Sequence, residues 1–358
     1  MTAMIRMNEA RMTAAAEPAF VHLKVHSAYS LLEGAITIAK LAKLAVAQGF
    51  PALGLTDSGN LFGALEFSDK LAAAGVQPIV GMTLRVDFGE PDRAGPGRPL
   101  APPARLASAG AIALIACNES GYQNLLQLSS RAFLDPAENE PPHVKLSQLQ
   151  GDRAQGLIAL TGGPDGPINR ALGEEQRELA GARLAALAAI YGDRLYVELQ
   201  RHGLAQELKT EPELIALAYA RSLPIVASNE VYFASPDDYE AHDALLCIAE
   251  GSYVTEDNRR RLSREHYFKS AQGMARLFAD LPEALANSIE IAKRCAFRPL
   301  GRKPILPKFV VAAKGASEAE QLALEAKELR RQAQAGLEQR LATTPLAPGF
   351  TAQDYEQR

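Results

Sequence analysis

Four side chains could do acid–base or ligand chemistry and sit near the ends of apolar runs: His26, Glu33, Asp57 and Glu230. Each can hold a proton or offer a lone pair to a cation, so their convergence on one mouth would make a site. The run ends carry His26-Ser27, Thr56-Asp57-Ser58, Met82, Thr161-Gly162-Gly163 and Asn229-Glu230-Val231-Tyr232. A multinuclear metal centre needs several His and carboxylate ligands, and the supply is thin: six histidines, no His-x-His pair and no Asp-x-Asp. His22 and His26 stand four apart, sharing a face of a strand but too distant for ordinary joint ligation. His22 is expected to pack locally and His26 to cap a loop. Asp57 precedes Ser-Gly-Asn and has two readings, a catalytic carboxylate or the cap of the next helix.

Other candidates carry less. His242 and Asp243 are neighbours in a helical stretch and therefore face different ways, which argues against joint catalysis. The run Arg259-Arg260-Arg261 reads as a solvated face, with a phosphate backbone contact as the alternative. Gly95-Pro96-Gly97-Arg98 has the look of a phosphate-binding turn. It lies in a Pro-rich stretch with no helix following, so it lacks the context such a turn needs.

The elements that must position these groups alternate. Apolar runs at Phe20–Ser27, Ala52–Asp57, Pro78–Phe88, Ala111–Asn118, Gly156–Gly163, Arg194–Gln200 and Pro224–Phe233 predict strands. Amphipathic stretches at Ile38–Gln48, Leu61–Ala74, Tyr122–Ala132, Glu174–Tyr191 and Pro212–Ser222 predict helices between them. Near-continuous apolar strands alternating with helices predict a parallel sheet buried on both faces. Seven such units favour a (β/α) barrel over an open sheet. Gly89–Gly110, crowded with Pro, Gly and Ala, is expected to be a surface insertion. Helices are then predicted at Asp237–Glu250, Pro282–Cys295 and Glu318–Leu341, with a boundary at the Pro-rich, basic Arg298–Lys308.

Composition narrows the function classes. The 358 residues carry a net charge of -4, with 47% apolar and 22% charged residues. That is ordinary for a globular protein and unlike a module that grips duplex DNA by itself, which would be basic. Cys117, Cys247 and Cys295 form no Cys-x-x-Cys pair, which predicts a reducing, cytoplasmic setting without a disulfide framework. No apolar run reaches membrane-spanning length, and residues 1–19 read as a loose leader rather than a signal peptide.

Several segments together resemble the alpha subunit of bacterial DNA polymerase III. They are Phe20–Ala35, Ala52–Phe67, Gly75–Gly81, Asn118–Phe133, Arg194–Gly203, Ala241–Ile248 and Leu277–Cys295, in order and at fitting spacing. The resemblance implies an N-terminal polymerase-and-histidinol-phosphatase (PHP) domain over residues 20–297, a distorted seven-stranded (β/α) barrel. A mainly helical segment, 298–358, would lead into the polymerase palm and thumb and be incompletely folded alone. The polymerase aspartates would lie beyond Arg358.

In intact family members the barrel mouth holds a metal cluster through nine side chains. Carried onto this sequence, those positions become Lys24 and His26, the acidic Glu33, Ser58, Met82, Ala111, Gly163, Glu230 and Tyr232. Only His26 is unchanged, with Glu33 and Glu230 as acidic replacements. The resemblance thus implies no metal, cofactor or catalytic residue in this piece, although the parent polymerase would use Mg²⁺. The implied partner is the proofreading exonuclease subunit, with sliding clamp and DNA bound through the rest of the parent. Two other readings are an active metal-dependent phosphoesterase (a pyrophosphatase or 3′–5′ exonuclease) and a translesion relative of the polymerase.

Overall fold

A computed structural model describes residues 20–89, 109–138, 140–303, 308–310 and 317–357. The leader at 1–19 and nearly all of the Pro-rich insertion, including Gly95-Pro96-Gly97-Arg98, fall outside them. The chain divides into two compact units between Leu300 and Gly301.

The first unit is a curled mixed sheet wrapped by helices. Its strands are β1 (Ala52–Leu55), β2 (Gln77–Asp87), β3 (Ala109–Ala116), β4 (Val144–Lys145), β5 (Leu157–Leu160), β6 (Leu195–Gln200) and β7 (Ile225–Ser228). The hydrogen-bonded order is β1-β2-β3-β5-β6-β7, with the two-residue β4 paired to β2. The sheet is not wholly parallel as expected. β3 runs antiparallel to both β2 and β5, so its hydrogen bonds to both neighbours follow the antiparallel pattern.

The first apolar run closes the curl without being a regular strand. Gly54 N donates to His22 O at 2.7 Å and Thr56 N to Val25 O at 2.9 Å, joining the run to β1. On its other edge His26 N donates to Val231 O at 2.9 Å and Val231 N to Lys24 O at 3.2 Å, joining it to the segment after β7. Among the described residues the curled sheet thus has seven strands and is distorted at its seam. Glycine is required there: a Cβ on Gly54 would lie 2.5 Å from Leu23 O.

Helices α1 (Ile38–Ala47), α2 (Ala64–Ala73), α3 (Glu119–Leu134), α4 (Pro167–Gly173), α5 (Arg177–Tyr191) and α6 (Ala205–Ala220) follow their strands. Their starts are chemically marked. The Thr37 hydroxyl accepts from Lys40 N, the Asn118 side chain accepts from Gly121 N, and Pro167 opens α4. Two boundaries differ from expectation. The stretch expected as one helix over 174–191 follows a separate short α4, with Glu175 at φ 63° breaking between them. Helix α6 begins at Ala205 rather than Pro212, because Glu207 accepts from Leu204 N and His202 N and so satisfies its first turn.

Alternation along the strands sorts two cores. Leu53, Leu55, Val80, Met82, Leu84, Leu114, Val197 and Leu199 pack outward under the helices. Ala52, Ile79, Ala113, Ile115, Ile158, Leu160, Tyr196 and Val226 fill the interior with Val21 and Leu23. After β7 come α7 (Tyr239–Glu250), α8 (Ala271–Leu277) and α9 (Pro282–Arg294). α9 lies across the end where the parallel strands begin: Asn287 Nδ2 donates to Ile225 O at 2.8 Å and Gln77 Nε2 to Ala292 O at 2.7 Å.

The second unit contains α10 (Glu318–Thr343) and α11 (Ala352–Glu356). α10 opens with a capping box in which Ser317 N donates to Glu320 Oε2 at 2.7 Å and the Ser317 hydroxyl accepts from Glu320 N. Only Gln321 along α10 is buried, and the helix exposes Leu322, Leu324 and Leu329 along with its charged residues. Among the described residues no helix is long and apolar enough to cross a membrane.

Candidate functional site

The C-terminal ends of the parallel strands surround a cavity of about 180 Å³. Its lining includes six of the nine positions singled out above: Lys24, Glu33, Ser58, Gly163, Glu230 and Tyr232, with Ala111 as a seventh at the start of β3. His26 sits directly behind Glu230 and Tyr232. Met82 is not there. Period-two alternation turns Met82 outward into the helix-facing core, and Thr83 faces the cavity in its place.

Lys24 dominates the electrostatics. Its side chain is almost wholly buried, with Nζ 3.0 Å from Glu230 Oε1 and 3.7 Å from Glu198 Oε1. Burial opposes the ammonium, but attraction to Glu198 and Glu230 and the hydrogen bond to Glu230 carry its pKa above the usual lysine value. Burial likewise opposes the Glu230 carboxylate. Lys24, then the His26 contact, outweigh it and hold Glu230 well below the ordinary range. Glu198, fully buried, is further held by the Ser228 hydroxyl, by Gln200 Nε2 at 2.6 Å and by Gly162 N at 3.1 Å.

His26 is fixed on all sides. Its ring stacks on Tyr232 with centroids 4.4 Å apart and planes 1° off parallel. Nε2 lies 3.2 Å from Glu230 Oε1, while Nδ1 faces Ser30 Oγ at 3.2 Å and Ser58 Oγ at 3.4 Å. Burial, followed by the nearby Glu230 and Glu33 carboxylates, pushes the Tyr232 phenol well above its usual pKa, and its hydroxyl donates to Glu230 Oε1 at 3.2 Å.

Glu33 is paired too. It accepts from Ser58 Oγ at 2.6 Å and from Arg260 at 2.8 Å. Burial works against its charge, yet Arg260 and the Ser58 hydrogen bond leave its pKa below the usual value. The run Arg259-Arg260-Arg261 is thus not a solvated face as expected. Arg260 closes over Glu33, and Arg259 forms a two-pronged pair with Asp243 at 2.6 Å, leaving Arg261 exposed. His242 Nε2 bonds Glu33 O at 2.6 Å while Asp243 turns to Arg259, so the two neighbours diverge as adjacent helical residues must.

Asp57 neither reaches the cavity nor caps a helix, since α2 starts only at Ala64. Its carboxylate accepts from Ser27 N at 2.7 Å, from Ser27 Oγ at 2.9 Å and from Ser30 Oγ at 2.7 Å, clamping the loop after the first run. His22 points away from His26 into an aromatic nest of Phe20, Phe50 and Phe268, with Nε2 at 2.8 Å from Lys269 O.

A cation stands among the carboxylates: the Lys24 ammonium lies within 3.7 Å of both Glu198 and Glu230. At Gly163 a Cβ would come 2.1 Å from Gln200 Oε1, so the Gln200 side chain fills the room a ligand there would take. Among the described residues no group of three or more His, Cys, Asp or Glu side chains is placed to hold a metal ion. Glu33 and Glu230 are held below their ordinary pKa and Lys24 and Tyr232 above theirs, all four shifts directed away from neutral pH.

Sequence reasoning overlooked Thr83, Arg85 and Asp165 on the cavity wall, where Arg260 joins them, and Glu198 and Gln200 beneath it. A charged residue inside the apolar run Leu-Tyr-Val-Glu-Leu-Gln was the one available signal for the last two.

The sequence matches the PHP domain family over residues 22–202. This chain belongs to the PHP family. The PHP barrel described above is also similar to DNA polymerase III alpha subunits. That of Caulobacter vibrioides is 48% identical over 322 residues, covering 90% of this chain and 27% of the relative. That of Rickettsia prowazekii is 39% identical over 293 residues, covering 82% and 23%. The chain therefore spans about a quarter of the length of the curated relatives it matches. Among solved structures, an amidohydrolase from Chromobacterium violaceum aligns with a TM-score of 0.40 at 13% identity, over 59% of this chain and 87% of that one.

Proposed function

We propose that this PHP barrel is a catalytically silent scaffold within a DNA polymerase III alpha subunit. The whole protein would be a cytoplasmic DNA-directed DNA polymerase of chromosome replication, using deoxynucleoside triphosphates and Mg²⁺ at a site in another part of the protein. The observation that carries the reading is the buried Lys24 ammonium, 3.0 Å from Glu230, standing where a catalytic cation would have to bind. A metal-dependent phosphoesterase needs a metal-activated water, and a lysine among its would-be ligands opposes the metal by charge and by volume.

The scaffold role includes docking the proofreading exonuclease subunit; clamp and DNA would engage other parts of the protein. Three segments meeting at the mouth support this, because they expose apolar side chains: Leu31 at 68%, Phe62 at 65% and Phe133 at 57%. Phe133 borders the cavity, and the loops carrying Leu31 and Phe62 are tied there through Ser30, Ser58 and Asn60. An apolar rim of this kind suits a protein contact.

Two measurements test the proposal. Elemental analysis of purified protein should find no stoichiometric zinc, manganese or iron, and phosphatase assays with added metal should stay at background. Stoichiometric metal with activity would establish the phosphoesterase reading instead. Titration calorimetry against the exonuclease subunit should give micromolar or tighter binding that Phe133→Ser weakens at least about tenfold, as an exposed interface aromatic would. Absence of binding would remove the docking role and leave the silent barrel intact.

A further inference from the structure

At the end of the barrel opposite the cavity, two of the three cysteines meet. Cys117 follows β3 and Cys295 closes α9, with their sulfurs 3.8 Å apart across 178 residues of sequence. Cys295 is fully buried in the interior apolar cluster, whereas Cys117 is half-buried at its edge and reachable from solvent. The third thiol, Cys247, is buried in α7 and makes no such contact.

The surroundings are held firmly. Cys117 N donates to Gly156 O at 2.8 Å, and α9 is fastened to the barrel end by Gln77, by Ser288 Oγ accepting from Val21 N at 3.1 Å, and by Arg294 bonding Tyr196 Oη at 3.0 Å. The sulfur pair is also asymmetric. The hydrogen bond shared with Cys295 lowers the Cys117 pKa; burial opposes this, and the Arg294 and Arg194 charges add to the lowering. The same contact and burial push the Cys295 thiol up. One sulfur is thus the accessible nucleophile and the other a sheltered thiol beside it, the arrangement of a redox-responsive pair.

We propose that Cys117 and Cys295 form a reversible oxidation site that takes a hydroperoxide as oxidant and closes as an intramolecular disulfide. The Cys117 thiolate attacks one peroxide oxygen, forming the S–O bond while the O–O bond breaks and the second oxygen leaves, protonated, as water. The Cys295 sulfur then attacks the Cys117 sulfenic acid. The S–S bond forms, the S–O bond breaks, and the hydroxide leaves with the Cys295 proton as a second water. Two thiols give up two electrons, and hydrogen peroxide accepts them. Side-chain rotation must bring the sulfurs to about 2.05 Å. The bridge pins the C-terminal end of α9, which covers the barrel's closed end, to β3. It thereby restrains a long stretch of the unfolded chain.

The test uses the folded 358-residue chain, exposed to hydrogen peroxide, alkylated and mapped by mass spectrometry. The expected result is loss of two hydrogens, a linked Cys117–Cys295 peptide, free Cys247, and a thermal midpoint raised by a few degrees, all reversed by dithiothreitol. Cys117→Ser should abolish the link and the shift. Cys295→Ser should leave a Cys117 sulfenic acid that dimedone captures. If Cys295→Ser does not fold, the wild-type peptide map and Cys117→Ser, altered at a half-buried site, decide alone. Wild-type protein that keeps both thiols, or that oxidises Cys117 to sulfinic acid without a link, overturns the proposal.

Discussion

A lysine in place of a cation has consequences that can be measured at Lys24 itself. Removing one member of a buried ion pair strands the others, at a cost of about 3–5 kcal/mol. Lys24→Met should lower unfolding free energy by that order at pH 7, because Glu198 and Glu230 would be left facing each other. The sign of the pH dependence follows from the shifts. Glu230 is depressed when folded, so its contribution is present above the ordinary carboxylate value of 4.5 and is lost as pH falls through the lower folded value. Lys24 is raised, so its contribution is present below 10.5 and is lost as pH rises through the higher folded value. The gap between wild type and Lys24→Met should therefore narrow as pH drops below 4.5, where the contribution of the Lys24–Glu230 pair is lost. Denaturant unfolding at several pH values checks this, and a gap independent of pH would refute it. His22 gives a second handle. Burial lowers its pKa from 6.5 to about 4, so the unfolded chain binds the extra proton first. Between those values it should erode stability by up to about 1.4 kcal/mol per pH unit. His22→Gln, which cannot titrate, should flatten that part of the wild-type curve.

At the scale of elements, the barrel depends on a seam where an irregular segment replaces a strand. Gly54 lets β1 approach the Leu23 backbone, and the amides of Gly54 and Thr56 bond His22 O and Val25 O. Gly54→Ala should cost about 1–3 kcal/mol through forced separation of the two backbones. Hydrogen exchange should localise the change to the amides of Gly54 and Thr56, while those of β5 and β6 stay protected. Uniform loss of protection would mean that the seam is not a separable unit. The elements most legible in the sequence were those with strong local signals: capped α1 and α3, and the apolar runs of β2, β5, β6 and β7. The direction of β3 was not legible, because a buried apolar run reads alike in either sense. The early start of α6 was hidden because its first turn is satisfied by Glu207, a residue no local pattern distinguishes from a solvated one.

For the whole molecule, family membership and the barrel were available from residue types in order along the chain. So was the shortage of metal ligands, since histidines can be counted without a structure. The character of the mouth was not, since it depends on which residues meet from distant strands. Glu198 and Lys24 are far apart in sequence, yet their side chains approach to 3.7 Å. Arg260, read as solvated, closes over Glu33 from 227 positions away. Met82 stands one residue from Thr83 and faces the opposite side of the sheet, a distinction set by strand register alone. Local chemistry thus determined the fold class and the absent ligands, because each depends on residue identity and short-range periodicity. The tertiary structure decided that the remaining charges neutralise one another around a buried ammonium, because Coulomb energy depends on distances that only the closed barrel fixes.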